Sequence, residues 1–252
     1  MRPMTVLTKE ERQLLDEKYA GRACEEFERD RARLASGEPL AYVIGWIPFL
    51  GLRIGLGSRP LIPRPETEWW TENMIAHLRS RFGTRNFRFL DMCAGSGAIG
   101  LAVLKHIPDA EVSFGELVPE HAAQIGNNMR SNGLDERRCR VRTGDLFKPF
   151  GDETFDVIAA NPPYIPEGRA LDADVAAWEP RLALFAGSDG LSLIREIAKT
   201  APAHMNPGGE LWCEVDSGRG PEALALFTKN GAMRAGLRND HYGRPRLVMA
   251  YY

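Results

Sequence analysis

Only four cysteines occur among the 252 residues, Cys24, Cys93, Cys139 and Cys213. Their wide separation fits neither the paired spacing of a zinc site nor the framework of a small disulfide-stapled domain. No bound metal is expected, and reduced thiols point to the cytoplasm. No apolar run approaches the roughly 20 residues that a membrane helix needs. The opening MRPMTVLTKEERQ has no apolar core of the kind a secretory signal requires. Net charge is scarce as well: 32 Lys and Arg against 34 Asp and Glu leave a formal −2. No overall field draws the chain onto nucleic acid or anionic lipid, so direct binding to either is not expected. The local runs Arg79, Arg81, Arg85, Arg88 and Arg137, Arg138, Arg140, Arg142 are read as solvated surface. What is present, 44% hydrophobic and 26% charged residues, suits a globular chain with one large domain, with or without a small extension. A monomer is expected.

Thr8 and Glu11 have capping-box spacing. The chain from there to about Leu34 is helical in character, with a partial apolar stripe of Leu14, Leu15, Tyr19, Ala23 and Phe27. Eight Lys/Arg and nine Asp/Glu in residues 1–40 describe salt-bridged solvent faces. Residues 40–57 (LAYVIGWIPFLGLRIGLG) are β-like and glycine-interrupted, predicting short strands or a hairpin. Pro60, Pro63 and Pro65 enforce an extended path before a helix from about Thr67 to Phe82. Beyond it strands alternate with helices. Strands are expected at Phe87–Leu90, Glu111–Gly115, before Gly144, at Phe155–Ala160 and at Gly209–Val215. Helices are expected at Ala98–His106, Pro119–Ser131, Leu191–His204 and Pro221–Lys229. That alternation implies crossover units and a mostly parallel sheet. The last two strand-like segments, around Ala232 and Leu247, are joined by too few residues for a helical crossover and should pair antiparallel. The expected division is a helical segment 1–36, a hairpin linker 37–66 and a main domain 67–252.

The strand FRFL runs into Asp91-Met92-Cys93-Ala94-Gly95-Ser96-Gly97 and then a helix. Ligands of open α/β sheets bind beyond the carboxyl ends of strands, where glycines let the backbone come close. The next strand ends in Glu116, where a carboxylate can accept both hydroxyl hydrogens of a ribose. A third strand leads into Gly144-Asp145-Leu146, which places a carboxylate to accept from the exocyclic amine of adenine. Three acids at successive strand ends describe a nucleoside site. A dinucleotide site is the rival, but the spacing departs from Gly-x-Gly-x-x-Gly and no second half follows.

FDVIAA runs directly into Asn161-Pro162-Pro163-Tyr164. Proline cannot donate a backbone hydrogen bond and its fixed φ stiffens the loop. The Asn161 side-chain oxygen and the Pro162 carbonyl are therefore both acceptors for a substrate NH2, and the Tyr164 ring can stack on the planar group that carries it. The lone pair of an amide or aromatic amine nitrogen is delocalised, which makes it a poor nucleophile. Two acceptors on its hydrogens orient it for in-line attack on a methyl donor and stabilise the charge that develops. With the nucleoside site upstream, these residues describe an S-adenosyl-L-methionine-dependent N-methyltransferase.

The loop occurs among adenine and guanine amino-methyltransferases as well, and its flanks narrow the choice. Leu61-Ile62-Pro63-Arg64-Pro65-Glu66-Thr67-Glu68 resembles the segment before the catalytic domain of the protein-(glutamine-N5) methyltransferases, the HemK/PrmC family. Gly37-Glu38-Pro39-Leu40-Ala41-Tyr42 is similar to that family's entry into its linking hairpin. Glu179-Pro180-Arg181-Leu182-Ala183-Leu184, Gly187-Ser188-Asp189-Gly190-Leu191 and the C-terminal Asp240 to Arg246 are similar to later stretches, so the resemblance covers roughly residues 37–252. It implies a class I methyltransferase fold, Rossmann-like, with a seven-stranded mostly parallel sheet and an antiparallel last strand. It also implies methylation of the glutamine amide in the Gly-Gly-Gln loop of a class I peptide-chain release factor. By the same resemblance, Asp91, Cys93, Gly95, Gly97, Glu116, Asp145, Leu146 and Asn161 would hold the cofactor, with Thr67 nearby. Asn161, Pro162, Pro163 and Tyr164 would hold the glutamine. Cys93 stands where the family commonly has glycine, Glu116 where aspartate is more usual, and the helical segment of 36 residues is shorter than the family's. A nucleobase, a small amide or another amide-bearing protein stays open as the alternative substrate.

Overall fold

The computed structural model describes residues 7–252, so the first six residues of the 1–36 segment lie outside the described residues. Thr8 caps helix α1 (Lys9–Tyr19), with the reciprocal Thr8–Glu11 bonds of a capping box in place. The single helical stretch expected up to Leu34 is two helices. Ala20 adopts a left-handed φ of 50° and Gly21 follows at 75°, which ends α1 before α2 (Glu25–Ala35) begins. A further correction falls on Leu40–Ile44, which forms the short helix α3 and not a strand. Pro39 leads into it and Gly45, at φ 94°, ends it. The strand-forming residues Val43 and Ile44 are buried against Leu14 and Phe27, so tertiary packing overrides local preference.

The hairpin β1 (Trp46–Phe49) and β2 (Leu52–Gly55) is antiparallel. It docks on helix α6 (Pro119–Ser131) through two asparagines one turn apart. Asn128 accepts from Gly55 N–H at 2.8 Å and donates to its carbonyl at 3.1 Å, and Asn132 does the same for Arg53 at 2.9 Å in each direction. Helix α4 (Pro65–Phe82) opens with Pro65 in its first turn, where the missing N–H costs nothing.

The main sheet is built from β3 (Phe87–Met92), β4 (Ala110–Glu116), β5 (Cys139–Thr143), β6 (Phe155–Ala160), β7 (Met205–Glu214), β8 (Arg234–Asn239) and β9 (Pro245–Tyr251) in the order β5-β4-β3-β6-β7-β9-β8. The first five are parallel to one another, and β9 is antiparallel to both β7 and β8. Two apolar cores cover the sheet. One gathers Trp70, Met74 and Leu78 of α4 with Leu101 and Leu104 of α5 (Ala98–His106) and Ile125 of α6. The other gathers Ile194 and Ile197 of α8 (Ser192–Thr200) with Ala223 and Phe227 of α9 (Gly220–Lys229). The helix expected to reach His204 ends in a 3-10 turn over Ala201–His204. A short helix α7 (Ala173–Trp178) had no counterpart in the sequence reading. Among the described residues no helix is long and apolar enough to cross a membrane.

Candidate functional site

The strand order reverses between β3 and β6. The chain builds outward through β4 and β5 on one side and through β7 on the other. Open α/β sheets leave a crevice at such a switch point, beyond the carboxyl ends of the strands. A cavity of about 630 Å³ opens there, within the range of about 300–1,000 Å³ typical of small-molecule sites. Its walls are the turns after four strands, with Cys93 and Gly95, Glu116 to Val118, Gly144 to Leu146, and Asn161 with Pro163. Ser58, Arg59 and the stretch from Trp178 to Gly187 close it from the far side. That stretch is pinned by Glu179, which is 5% exposed, accepts from Ile62 N–H at 3.2 Å and pairs with Arg64 at 2.5 Å. The Leu61–Glu68 and Glu179–Leu184 motifs therefore meet in space. Arg59 also pairs with Glu38, itself a partner of Arg33 in α2, and lies over the Trp178 ring, 5.5 Å from its centroid, which ties the helical segment to the cavity wall.

Glu116 is the most fully ordered group of the cradle. One carboxylate oxygen accepts from Gly95 N–H at 2.7 Å and the other from Val118 N–H at 2.9 Å. Each oxygen keeps a second lone pair for a ligand hydroxyl. Gly95 sits at φ 55°. Cys93 holds a left-handed φ of 59°, at a cost of about 1–2 kcal/mol for a residue with a β-carbon, which is the conformation a glycine supplies freely. Burial, and after it the carboxylates of Glu116, Asp91 and Asp145, push the Cys93 thiol up. The thiol stays protonated and serves as a small wall residue, not a nucleophile. Leu146, at φ 46°, is also a wall residue.

Of three further residues read from the sequence as cofactor contacts, one reaches the cavity and two lie outside its wall. Gly97 is absent from the cavity wall. It precedes α5 at φ 79°, and a β-carbon there would stand 3.0 Å from Ile125, so it permits the close approach of α6. Asp145 lines the cavity and also pairs with Lys148 at 2.6 Å, both side chains being substantially exposed. Asp91 lies behind the wall and is fully buried. It accepts from Gly100 N–H at 2.8 Å and leaves its other oxygen without a partner.

Burial first, and the nearby Glu116 charge after it, push the Asp91 carboxyl up to about 8. Its ordinary value is 3.8, so below that pH the group is protonated whether the chain is folded or unfolded. Between about pH 4 and 8 the folded protein keeps a proton that the unfolded chain has released. Stability then falls with rising pH by about 1.4 kcal/mol per pH unit. Asp91→Asn keeps an acceptor for Gly100 and has no proton to lose. Between pH 5 and pH 7 the wild-type unfolding free energy is expected to drop about 3 kcal/mol more than the variant's in urea titrations. Equal slopes for the two proteins would remove this assignment.

The loop after β6 divides its residues between cavity and scaffold. Asn161 and Pro163 line the cavity, while Pro162 and Tyr164 do not. The Asn161 amide nitrogen donates to Thr67 Oγ1 at 3.3 Å, and its Oδ1 is buried without a partner. The Tyr164 hydroxyl donates to Glu214 Oε1 at 3.0 Å. Burial and the Glu214 charge push that phenol up, so it stays neutral. Thr67 is neither a helix cap nor a wall residue. The cap position of α4 belongs to Arg64, and Thr67 Oγ1 donates to Glu214 Oε2 at 2.7 Å. Trp70 Nε1–H joins the same oxygen at 2.8 Å, Trp69 packs near the His241 ring, and Trp178 lines the cavity.

Sequence reasoning missed Glu214 and Gly190. Glu214 ends β7 and is 1% exposed; only its place at a strand end signalled it. Gly190, at φ 75°, lies directly under the backbone of Tyr164 and Pro166; the glycine-rich GSDG run was its signal.

A family profile described as Methyltransferase small domain matches residues 70–178. The release factor glutamine methyltransferase of Geobacter sulfurreducens is 37% identical over 219 residues, spanning 86% of this chain and 74% of that protein. That of Gloeobacter violaceus is 35% identical over 226 residues, spanning 88% and 77%. Among solved structures, a methyltransferase from Pyrococcus furiosus superposes with a TM-score of 0.58 at 17% identity, covering 88% of this chain and 98% of that one, which bears on the fold alone. A parallel sheet with an antiparallel last strand, a cradle at its switch point and sequence identity across most of both chains agree: the chain belongs to the release factor glutamine methyltransferases.

Proposed function

We propose that this enzyme transfers a methyl group from S-adenosyl-L-methionine to the side-chain amide nitrogen of the glutamine in the Gly-Gly-Gln loop of a class I peptide-chain release factor. The observation that carries the reading is Asn161, a residue of the cavity wall whose side-chain Oδ1 is buried without a partner. A buried acceptor left unpaired costs about 1–3 kcal/mol, and a substrate NH2 would remove that cost. The cavity suits the cofactor. Glu116 offers a fixed carboxylate to a ribose, Gly95 lets the backbone approach, and Leu117, Val118 and Leu146 give apolar walls for a base.

When bound, S-adenosylmethionine supplies an electrophilic methyl on its sulfonium. Asn161 Oδ1 and the Pro162 carbonyl hold the two amide hydrogens and set the nitrogen lone pair toward that methyl. Transfer would exchange the sulfur–carbon bond for a nitrogen–carbon bond and release S-adenosylhomocysteine; Asn161 Oδ1 and the Pro162 carbonyl would stabilise the positive charge on the amide, and the proton lost from nitrogen would pass to solvent. Tyr164, its hydroxyl anchored at Glu214, braces the loop from behind the wall. In this reading 67–252 is the catalytic domain, acting as a single copy, and the 1–36 segment with the 37–66 linker faces the protein substrate. Incubation with a Gly-Gly-Gln-containing release factor and cofactor should add one methyl to that glutamine, read by mass spectrometry of the digested product. Methylation of DNA or RNA with no gain on the release factor would overturn it.

A further inference from the structure

A side-chain amide has two orientations of nearly equal shape that present opposite faces, one an acceptor and the other a donor. Only the acceptor face can hold a substrate NH2, so something must fix the choice at Asn161. We infer that Glu214 is a positioning residue: acting through the Thr67 hydroxyl it fixes Asn161 with Nδ2 toward Thr67 and Oδ1 left free to accept, and through the Tyr164 hydroxyl it holds the other end of the same loop. The inference rests on the amide-methylation reading above.

Trp70 Nε1–H can only donate, and it donates to Glu214 Oε2. The Thr67 hydroxyl has one hydrogen, and that hydrogen is spent on the same oxygen. What Thr67 Oγ1 has left are lone pairs, which accept from an N–H and repel a carbonyl oxygen. Asn161 must therefore turn Nδ2 to Thr67, as observed at 3.3 Å, and its Oδ1 is the atom left unpaired. The reverse orientation would set two oxygens against each other and point an NH2 at the substrate's own hydrogens. Glu214 Oε1 is left to receive the Tyr164 hydroxyl. The groups joined lie far apart in the chain, on α4, after β6 and at the end of β7, so one buried carboxylate sets the loop at both of its polar ends.

The test compares Thr67→Val, Thr67→Ser and Glu214→Gln in the full chain, with cofactor titration as the check of folding. Valine keeps the shape of threonine and removes the hydroxyl. It should lower kcat about 10- to 100-fold with the cofactor Kd within about threefold of wild type, while serine should restore kcat to within about threefold. Glu214→Gln, which lets Thr67 turn its hydrogen toward Asn161, should also lose kcat at least about tenfold. A second readout needs no substrate. The Asn161 side-chain amide hydrogens should be protected from exchange in ¹H–¹⁵N spectra of the wild type and the serine variant, and lose that protection in the valine variant. Equal kcat in the valine and serine variants, or unchanged protection in all, overturns the inference. If the wild type fails to methylate a glutamine amide, the substrate reading falls, and the exchange measurement still decides the orientation of Asn161.

Discussion

Asn161→Ala is expected to lower kcat for methyl transfer about 100- to 1,000-fold while leaving S-adenosylmethionine binding within a few-fold of wild type. Asn161 lines the cavity, and its amide oxygen is the buried, unpaired acceptor among the described side chains of the loop. Its interaction with the substrate strengthens as charge develops on the amide nitrogen, so its loss falls on the chemical step more than on ground-state binding. A hundredfold to thousandfold loss corresponds to about 2.7–4 kcal/mol of transition-state stabilisation. That is the size expected when a preorganised polar group is removed from a site that excludes water. The cofactor rests mainly on Glu116, Gly95 and the apolar wall, none of which depends on the Asn161 side chain. Single-turnover transfer to a release factor and calorimetric titration of the cofactor would separate the two effects. A variant whose kcat stays within tenfold of wild type would show that the substrate amide is held by other groups.

What was legible in the sequence follows from where the signal is local. The strands β3 and β6 are short, mostly apolar segments that run into turns, and a central parallel strand buried on both faces must look so. The helices α5 and α6 begin where Gly97 and Pro119 say they should, and both bounds of each are met. Leu40–Ile44 was not legible, because five apolar residues are too few to separate a helix from a strand by period. Its state is decided by Leu14 and Phe27, residues that it meets only in the folded protein. The break at Ala20 was missed for a related reason, since alanine carries no signal for a left-handed turn.

The site divides the same way. Glu116 and Asn161 are legible because a strand end followed by a turn states their position. Asp145 is legible in the same way and lines the cavity, while its ion pair with Lys148 three residues on was not read. The role of Glu214 rests on Thr67, Trp70 and Tyr164, which lie 147, 144 and 50 residues away in sequence. No spacing rule connects them.

Gly190→Ala should bring a second large loss, at a residue that touches no substrate. A β-carbon at this position would fall inside contact distance of the Tyr164 carbonyl oxygen and stand 3.0 Å from Pro166 Cδ and 3.1 Å from its nitrogen. None of these atoms is the far end of a flexible side chain, and two of them are backbone. Either the Asn161–Pro166 loop or the turn that carries Gly187 and Gly190 must shift. The left-handed φ of 75° adds about 1–2 kcal/mol of strain, and the overpacking about 1–3 kcal/mol more. The effect on catalysis comes from displacement. A shift of about 1 Å in a group that positions the reacting nitrogen costs on the order of 100-fold in rate, so kcat should fall by about that factor and more than cofactor affinity does. Strain and displacement can be told apart with Gly133→Ala. Gly133 has φ +64° and open space around its missing β-carbon, and it lies at the end of α6 away from the cavity. That variant should lose similar stability from the backbone alone and keep kcat within about twofold. Equal rates in the two variants would show that the loop tolerates movement, and that the contact between Gly190 and the Tyr164 backbone does not set the position of Asn161.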